Sequence, residues 1–205
     1  MPLQNRVTPT GEIVWAAARG GWMGNRGGRL HTASRELGRR RWTSKSWIIC
    51  RLDFKGRRRQ VMGDGYTELF FLDEATALAA GHRPCFECRR AAANAFRAGW
   101  ARGNRTEPPR AAAMDTVLHG ERCQVIGYEY RTEAALSTLP DGAFVALDGG
   151  SWLKWRGALR AWSPGGYGEC RPLPETALPI TPPSTLAAMR GGYLPEVHES
   201  ANTIR

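Results

Sequence analysis

Two cysteines separated by two residues, in His82-Arg83-Pro84-Cys85-Phe86-Glu87-Cys88, form the one pair in the chain whose spacing alone suits a chemical task. A tight turn brings two such sulfurs within the span set by Zn–S bonds of about 2.3 Å, so the pair supplies half of a tetrahedral metal site. The residues able to complete it are Cys50, His31 and His82, with His119, Cys123 and Cys170 further on. Five Cys, an odd number, do not make the paired framework of a small secreted domain. Two other readings stand beside the metal. The thiols could simply cap the helix that follows them, or form a redox pair activated by the helix N-terminus and by Arg83, Arg89 and Arg90. Cys50 itself, alone in the apolar run Trp47-Ile48-Ile49-Cys50, reads first as a small buried hydrophobe and second as a ligand.

The charge is concentrated upstream of that turn. Residues 26–59 hold 12 Lys and Arg against Glu36 and Asp53, a net charge equal to the +10 of the whole chain. A field that dense attracts polyanions. The candidate phosphate contacts are Arg39, Arg40, Arg41, Lys45, Lys55, Arg57, Arg58 and Arg59, with Trp42, Trp47 and Phe54 as rings for unpaired bases. The plainer reading makes the basic runs solvated loops and the indoles core. Gly24-Asn25-Arg26-Gly27-Gly28-Arg29 lacks the Gly-Lys-Ser/Thr ending of a P-loop and reads as a loop. A hydrolytic metal centre needs clustered acids and His, and Asp53, Asp64, Glu68, Asp73, Glu74 and Glu87 show no familiar arrangement.

The elements that must position these residues are short. Trp47 to Phe54 followed by Arg57 to Met62, with Lys55-Gly56 near the turn, predicts a hairpin. Tyr66 to Phe71 predicts a strand. Asp73 then caps a helix over 74–80, which Gly81 closes in the left-handed conformation. A second, Ala-rich helix follows Cys88, so the Cys pair lies between two helices. Gly103, Asn104 and Pro108-Pro109 mark a soft boundary, giving a basic domain over 1–105 and a smaller α+β region over 106–205 that either stands apart or packs on the first. In that region Phe144–Leu147, Trp152–Trp155 and Ala158–Trp162 predict an antiparallel meander, whose indoles form a core or line a groove, and Thr181 caps a last helix beginning at Pro182. The fold class expected is α+β, with small antiparallel sheets, short helices and no internal repeat. With 42% hydrophobic residues and 8 Trp the chain can bury a core, and no run is long and apolar enough to cross a membrane, so a cytoplasmic protein is expected.

The run Leu69-Phe70-Phe71-Leu72-Asp73-Glu74-Ala75-Thr76-Ala77-Leu78-Ala79-Ala80-Gly81 and the His-Arg-Pro-Cys-x-x-Cys after it resemble the end of the metal-binding domain of the bacterial DNA-repair protein Ada and its stand-alone relatives. In that family an aromatic strand, a short helix, Gly and Arg-Pro-Cys-x-x-Cys deliver the last two of four zinc thiolates. The resemblance covers about 20 residues. It implies that Cys85 and Cys88 are ligands and that Cys50 matches the first upstream thiol, the one that takes a methyl group in the repair protein. The second upstream thiol is replaced by Phe54, and His31 is the residue expected to complete the set of Cys50, Cys85, Cys88 and an imidazole around zinc. The function expected is that of a zinc-supported nucleic-acid-binding protein, with DNA ahead of RNA. An enzyme acting on nucleic acid, either a metal-dependent hydrolase or a thiol methyl acceptor, and a scaffold for an acidic protein are the alternatives.

Overall fold

Short apolar runs broken by Gly and Pro give correspondingly short strands. A computed structural model of the chain describes residues 1–57, 60–126 and 132–203 and shows an α+β fold, two six-stranded sheets with four helices among those residues. The Gly-rich start of the chain forms β1 (Gln4–Val7), β2 (Ile13–Trp15) and β3 (Trp22–Asn25). They join β4 (Ile48–Cys50), β5 (Leu69–Phe71) and β6 (Arg83–Pro84) in a first sheet of order β2-β1-β5-β3-β4-β6. Three of its pairings are antiparallel, but β1 with β5 and β4 with β6 are parallel. The parallel β4–β6 contact follows from the helix α1 (Glu74–Ala79), which carries the chain away from β5 before it returns beside β4.

Among the described residues, the hairpin expected after Cys50 has no strand beyond Cys50 before β5. Both edges of β4 are already taken, by β3 and by β6, and the described chain beyond Cys50 turns at Lys55-Gly56. The helix after β5 agrees with its sequence. Asp73 Oδ1 accepts from Thr76 N at 2.8 Å, and Gly81 takes φ +79 where a side chain would be strained.

Two longer helices follow, α2 (Arg90–Asn104) and α3 (Ala111–Ile126), so the expected boundary near residue 105 falls in the turn between them. The second sheet contains β7 (Ala134–Ala135), β8 (Phe144–Leu147), β9 (Gly150–Trp155), β10 (Ala158–Ser163), β11 (Gly166–Pro172) and β12 (Thr176–Pro179), in the order β11-β10-β9-β8-β12-β7. Its meander turns at Asp148-Gly149 and Arg156-Gly157, all four at positive φ, the geometry that suits two-residue hairpins. The indoles of this sheet hold its edges and cross-links. Trp152 donates to the Leu147 carbonyl, Trp155 to Asn202 and Trp162 to Thr76 of α1. The last helix, α4 (Pro183–Arg190), starts one residue later than expected, because Thr181 Oγ1 is used instead to accept from Phe144 N.

One contiguous core draws on both sides of residue 105, from Val7, Ile49 and Phe71 through Phe96 and Leu118 to Val145, Leu159 and Tyr193. α2 and α4 cross closely enough that a β-carbon at Gly103 would lie 1.7 Å from the Ala187 carbonyl oxygen. Polar ties reinforce the joint. Asp73 accepts from the Tyr167 hydroxyl and from His198 N, and Glu74 from Arg89, Tyr193 and Glu196 N. Among the described residues no helix is long and apolar enough to cross a membrane.

Candidate metal centre

The register of β4 against β6 decides where the thiols meet. Ile48 lies beside Arg83 and Ile49 beside Pro84, so the next residue on each strand, Cys50 and Cys85, are brought alongside. Cys85 N donates to Ile49 O at 3.0 Å, which continues that pairing into the turn. The turn folds back on itself through Arg89 N to Cys85 O, and Cys88 enters the same corner just before α2 begins. The ligand sulfurs of Cys50, Cys85 and Cys88 all lie within 4.8 Å of one another. Tetrahedral coordination with bonds of about 2.3 Å needs sulfurs about 3.8 Å apart, so a small inward movement suffices. This donor set can hold a metal ion.

The three thiols share protons unequally. The hydrogen bond from Cys50 holds Cys85 well below an ordinary thiol, at about 5, helped by amide donors that include Glu87 N at 3.3 Å from the sulfur. The same Cys50–Cys85 bond, with burial, pushes Cys50 up, and burial raises Cys88. Cys85 is thus the sulfur of the three that gives up its proton most readily, and thiolate is the form in which sulfur ligates a metal.

The residues before the pair are structural. Arg83 makes a buried two-pronged ion pair with Asp115 on α3, both contacts 2.8 Å. His82 does not face solvent; it is fully buried between the rings of Phe71 and Trp47. Arg89 is neutralised by Glu74. Two of the three cations that the redox reading needs near the thiols are therefore already satisfied.

His31 does not join the cluster. Its Nε2 donates to the Gly63 carbonyl at 2.8 Å, which leaves Nδ1 to accept from the Thr67 hydroxyl at 2.6 Å. Both ring nitrogens are engaged, so no lone pair is left for a metal, and of the four expected ligands the structure brings together the three thiols. Cys170 lies on β11 of the other sheet, and the Cys123 side chain is outside the described residues.

A cavity of about 290 Å³ opens beside the sulfurs, and all three thiols line it. Phe54, standing where the resemblance places a fourth thiol, is on its wall with Tyr66, Phe70, Arg51 and Arg57. Glu68, unremarkable in the sequence, also lines it, buried, with one oxygen accepting from Met62 N at 2.8 Å. No local pattern marks Glu68, since only the return of the loop to β5 brings it there.

The basic residues divide between two loops. Arg39, Arg40, Arg41 and Lys45 are exposed on the loop from β3 to β4, and Lys55 and Arg57 on the loop after Cys50. Arg57 is paired with Glu87 at 2.5 Å. Among the described residues Arg39, Arg40, Arg41, Lys45, Arg51 and Lys55 have no carboxylate partner, while Arg58 and Arg59 lie outside those residues. Of the rings expected to stack on bases, Trp47 is buried between the guanidinium groups of Arg26 and Arg122, whereas Trp42 and Phe54 are half-buried. No protein-family model, no curated protein and no solved structure matches the chain.

Proposed function

We propose that Cys50, Cys85 and Cys88 hold a zinc ion, and that the protein binds nucleic acid through the exposed cations on the two loops that frame the first sheet. The observation that carries the reading is the convergence of three thiols from two separate segments. Thiolate sulfur favours zinc among the common divalent ions, and two of the three donors are buried while the third is half-exposed. Arg51, Lys55 and Arg57 sit on the loop that leaves Cys50, so the metal would fix the segment that meets the phosphates. Metal content per chain, read by native mass spectrometry, tests the first half. One zinc is expected, lost in Cys50→Ser, Cys85→Ser or Cys88→Ser and kept in His31→Ala. Salt titration of binding to a short DNA duplex and to single strands tests the second. Replacing Arg39, Arg40 and Arg41 by Gln should flatten the log–log salt slope by about two to three, one counterion for each phosphate contact. An unchanged slope removes these residues from the interface.

The cavity favours a second reading, an enzyme acting on nucleic acid. Three protein ligands with open space beside them is the arrangement of catalytic zinc, which supplies Lewis-acid chemistry, and Glu68 is a carboxylate on the wall of that space. Glu68→Gln should then abolish turnover of a nucleic-acid substrate while leaving zinc content and the salt slope intact.

A further inference from the structure

A second cavity, of about 420 Å³, involves the opposite face of the first sheet and has a buried arginine, Arg26, in its lining. Alternation along β3 and β4 sends Asn25, Ile48 and Cys50 to the thiol cavity and Gly24, Trp47 and Ile49 to the other side. Arg26 follows β3 onto that other side, 1% exposed, with its guanidinium 3.8 Å above the Trp47 ring. Its Nη2 donates to the Gly11 carbonyl at 2.8 Å, its Nε to His82 at 3.4 Å, and its Nη1 reaches the Arg41 carbonyl only at 3.5 Å. A guanidinium has five N–H donors, so two are left over. Among the described residues no carboxylate pairs with it, and the charges that bear on it are those of Arg122 and Arg41, which are also positive.

His82 cannot serve as the missing anion, being neutral or positive in any state. Glu12 lines the cavity too, but it is exposed and makes no ion pair with Arg26. Burying an uncompensated cation is costly, and the contact with Trp47 offsets only part of that cost. A buried charge on the wall of a cleft marks a candidate binding site, and an anion there would complete it. The rest of the lining says what kind. Arg41 is exposed, Trp42 is half-buried, and the indole of Trp42 offers a flat apolar wall next to the cations. The volume is that of a small-molecule site.

We infer that this cavity binds a small oxyanion carried on a flat ring, its phosphate or carboxylate held by Arg26 and Arg41 and its ring laid against Trp42. The site is separate from the thiols, and its test does not depend on the zinc reading. Calorimetric titration of the full-length protein with adenosine 5′-monophosphate, benzoate, adenosine and inorganic phosphate decides it. Saturable binding of one ligand per chain is expected for the nucleotide or for benzoate, and which of the two binds separates a phosphate from a carboxylate source. Adenosine and inorganic phosphate should bind at least about tenfold more weakly, each lacking one half of the recognised group. Arg26→Met should lose binding. Should that variant fail to fold, Arg41→Ala and Trp42→Ala carry the test, since neither removes a fully buried side chain, and each should weaken binding severalfold with zinc content unchanged. The inference is overturned if neither ring-bearing anion saturates by about 1 mM, if adenosine or phosphate alone binds as tightly, or if Arg41→Ala and Trp42→Ala bind like the unmodified protein.

Discussion

Arg83 enters the interior one residue before Pro84 and Cys85, and the fold can accept its charge only because Asp115 is placed opposite it. Replacing Asp115 with Ala strands a buried guanidinium, which should cost about 3–5 kcal/mol of stability in urea unfolding. It should also weaken retention of the proposed zinc, because Arg83 anchors the strand that brings Cys85 to Cys50. His82 makes a different prediction. Burial, followed by the charges of Arg26 and Arg122, holds it well below its ordinary 6.5. On acidification the unfolded chain takes up a proton there and the folded chain does not. The contribution of His82 is therefore full above pH 6.5 and declines as pH falls below it, by up to about 1.4 kcal/mol per pH unit. Urea midpoints at pH 7.0 and 5.5 should drop further apart in the unmodified protein than in His82→Asn. Residue types and spacing made Cys85 and Cys88 legible as a pair. The resemblance put Cys50 with them, and the strand register brings its sulfur there; that both nitrogens of His31 are taken by Gly63 and Thr67 was hidden, because no short motif encodes those contacts.

Helices α2 and α4 illustrate what an element's sequence conceals. The Ala-rich run after Cys88 announces a helix, yet the role of its glycines is set by a partner some 80 residues away. At Gly103 and Gly99 any β-carbon would strike the carbonyls of Ala187 and Ala188. Gly103→Ala should therefore destabilise by about 1–3 kcal/mol through overpacking, although Ala is the better helix former, and thermal unfolding would show it. The elements best read from sequence were those with local punctuation, the Asp73 cap, Gly81 and the glycine turns of the meander. What the sequence does not show after Cys50 is that β3 and β6 already occupy both edges of β4, which leaves no edge there for a hairpin partner. The start of α4 was displaced because the Thr181 hydroxyl finds a partner in β8.

Across the whole molecule, Asp73 and Glu74 sit at the start of a six-residue helix and receive hydrogen bonds from Tyr167, His198, Arg89, Tyr193 and Glu196. Neither their number nor their reach shows in the sequence, where Asp73 reads as a cap and Glu74 as the first residue of the helix. With the shared core, they couple the two sheets. Unfolding followed by tryptophan fluorescence and by far-ultraviolet circular dichroism should trace one curve, and Glu74→Ala should move both midpoints down together by about 3–5 kcal/mol as Arg89 loses its partner. Two separated transitions would show instead that the sheets fold independently. The meeting of Cys50 with Cys85 has a further consequence in polymer terms. It closes a loop of about 35 residues, and a full cross-link of that size removes about 4 kcal/mol of freedom from the unfolded chain. Arg51, Lys55 and Arg57 lie on that loop and are exposed. With the proposed zinc on the sulfurs, a chelator would turn this stretch into the point where trypsin cuts first, so the order in which fragments appear, with and without chelator, reads out whether the loop is tied.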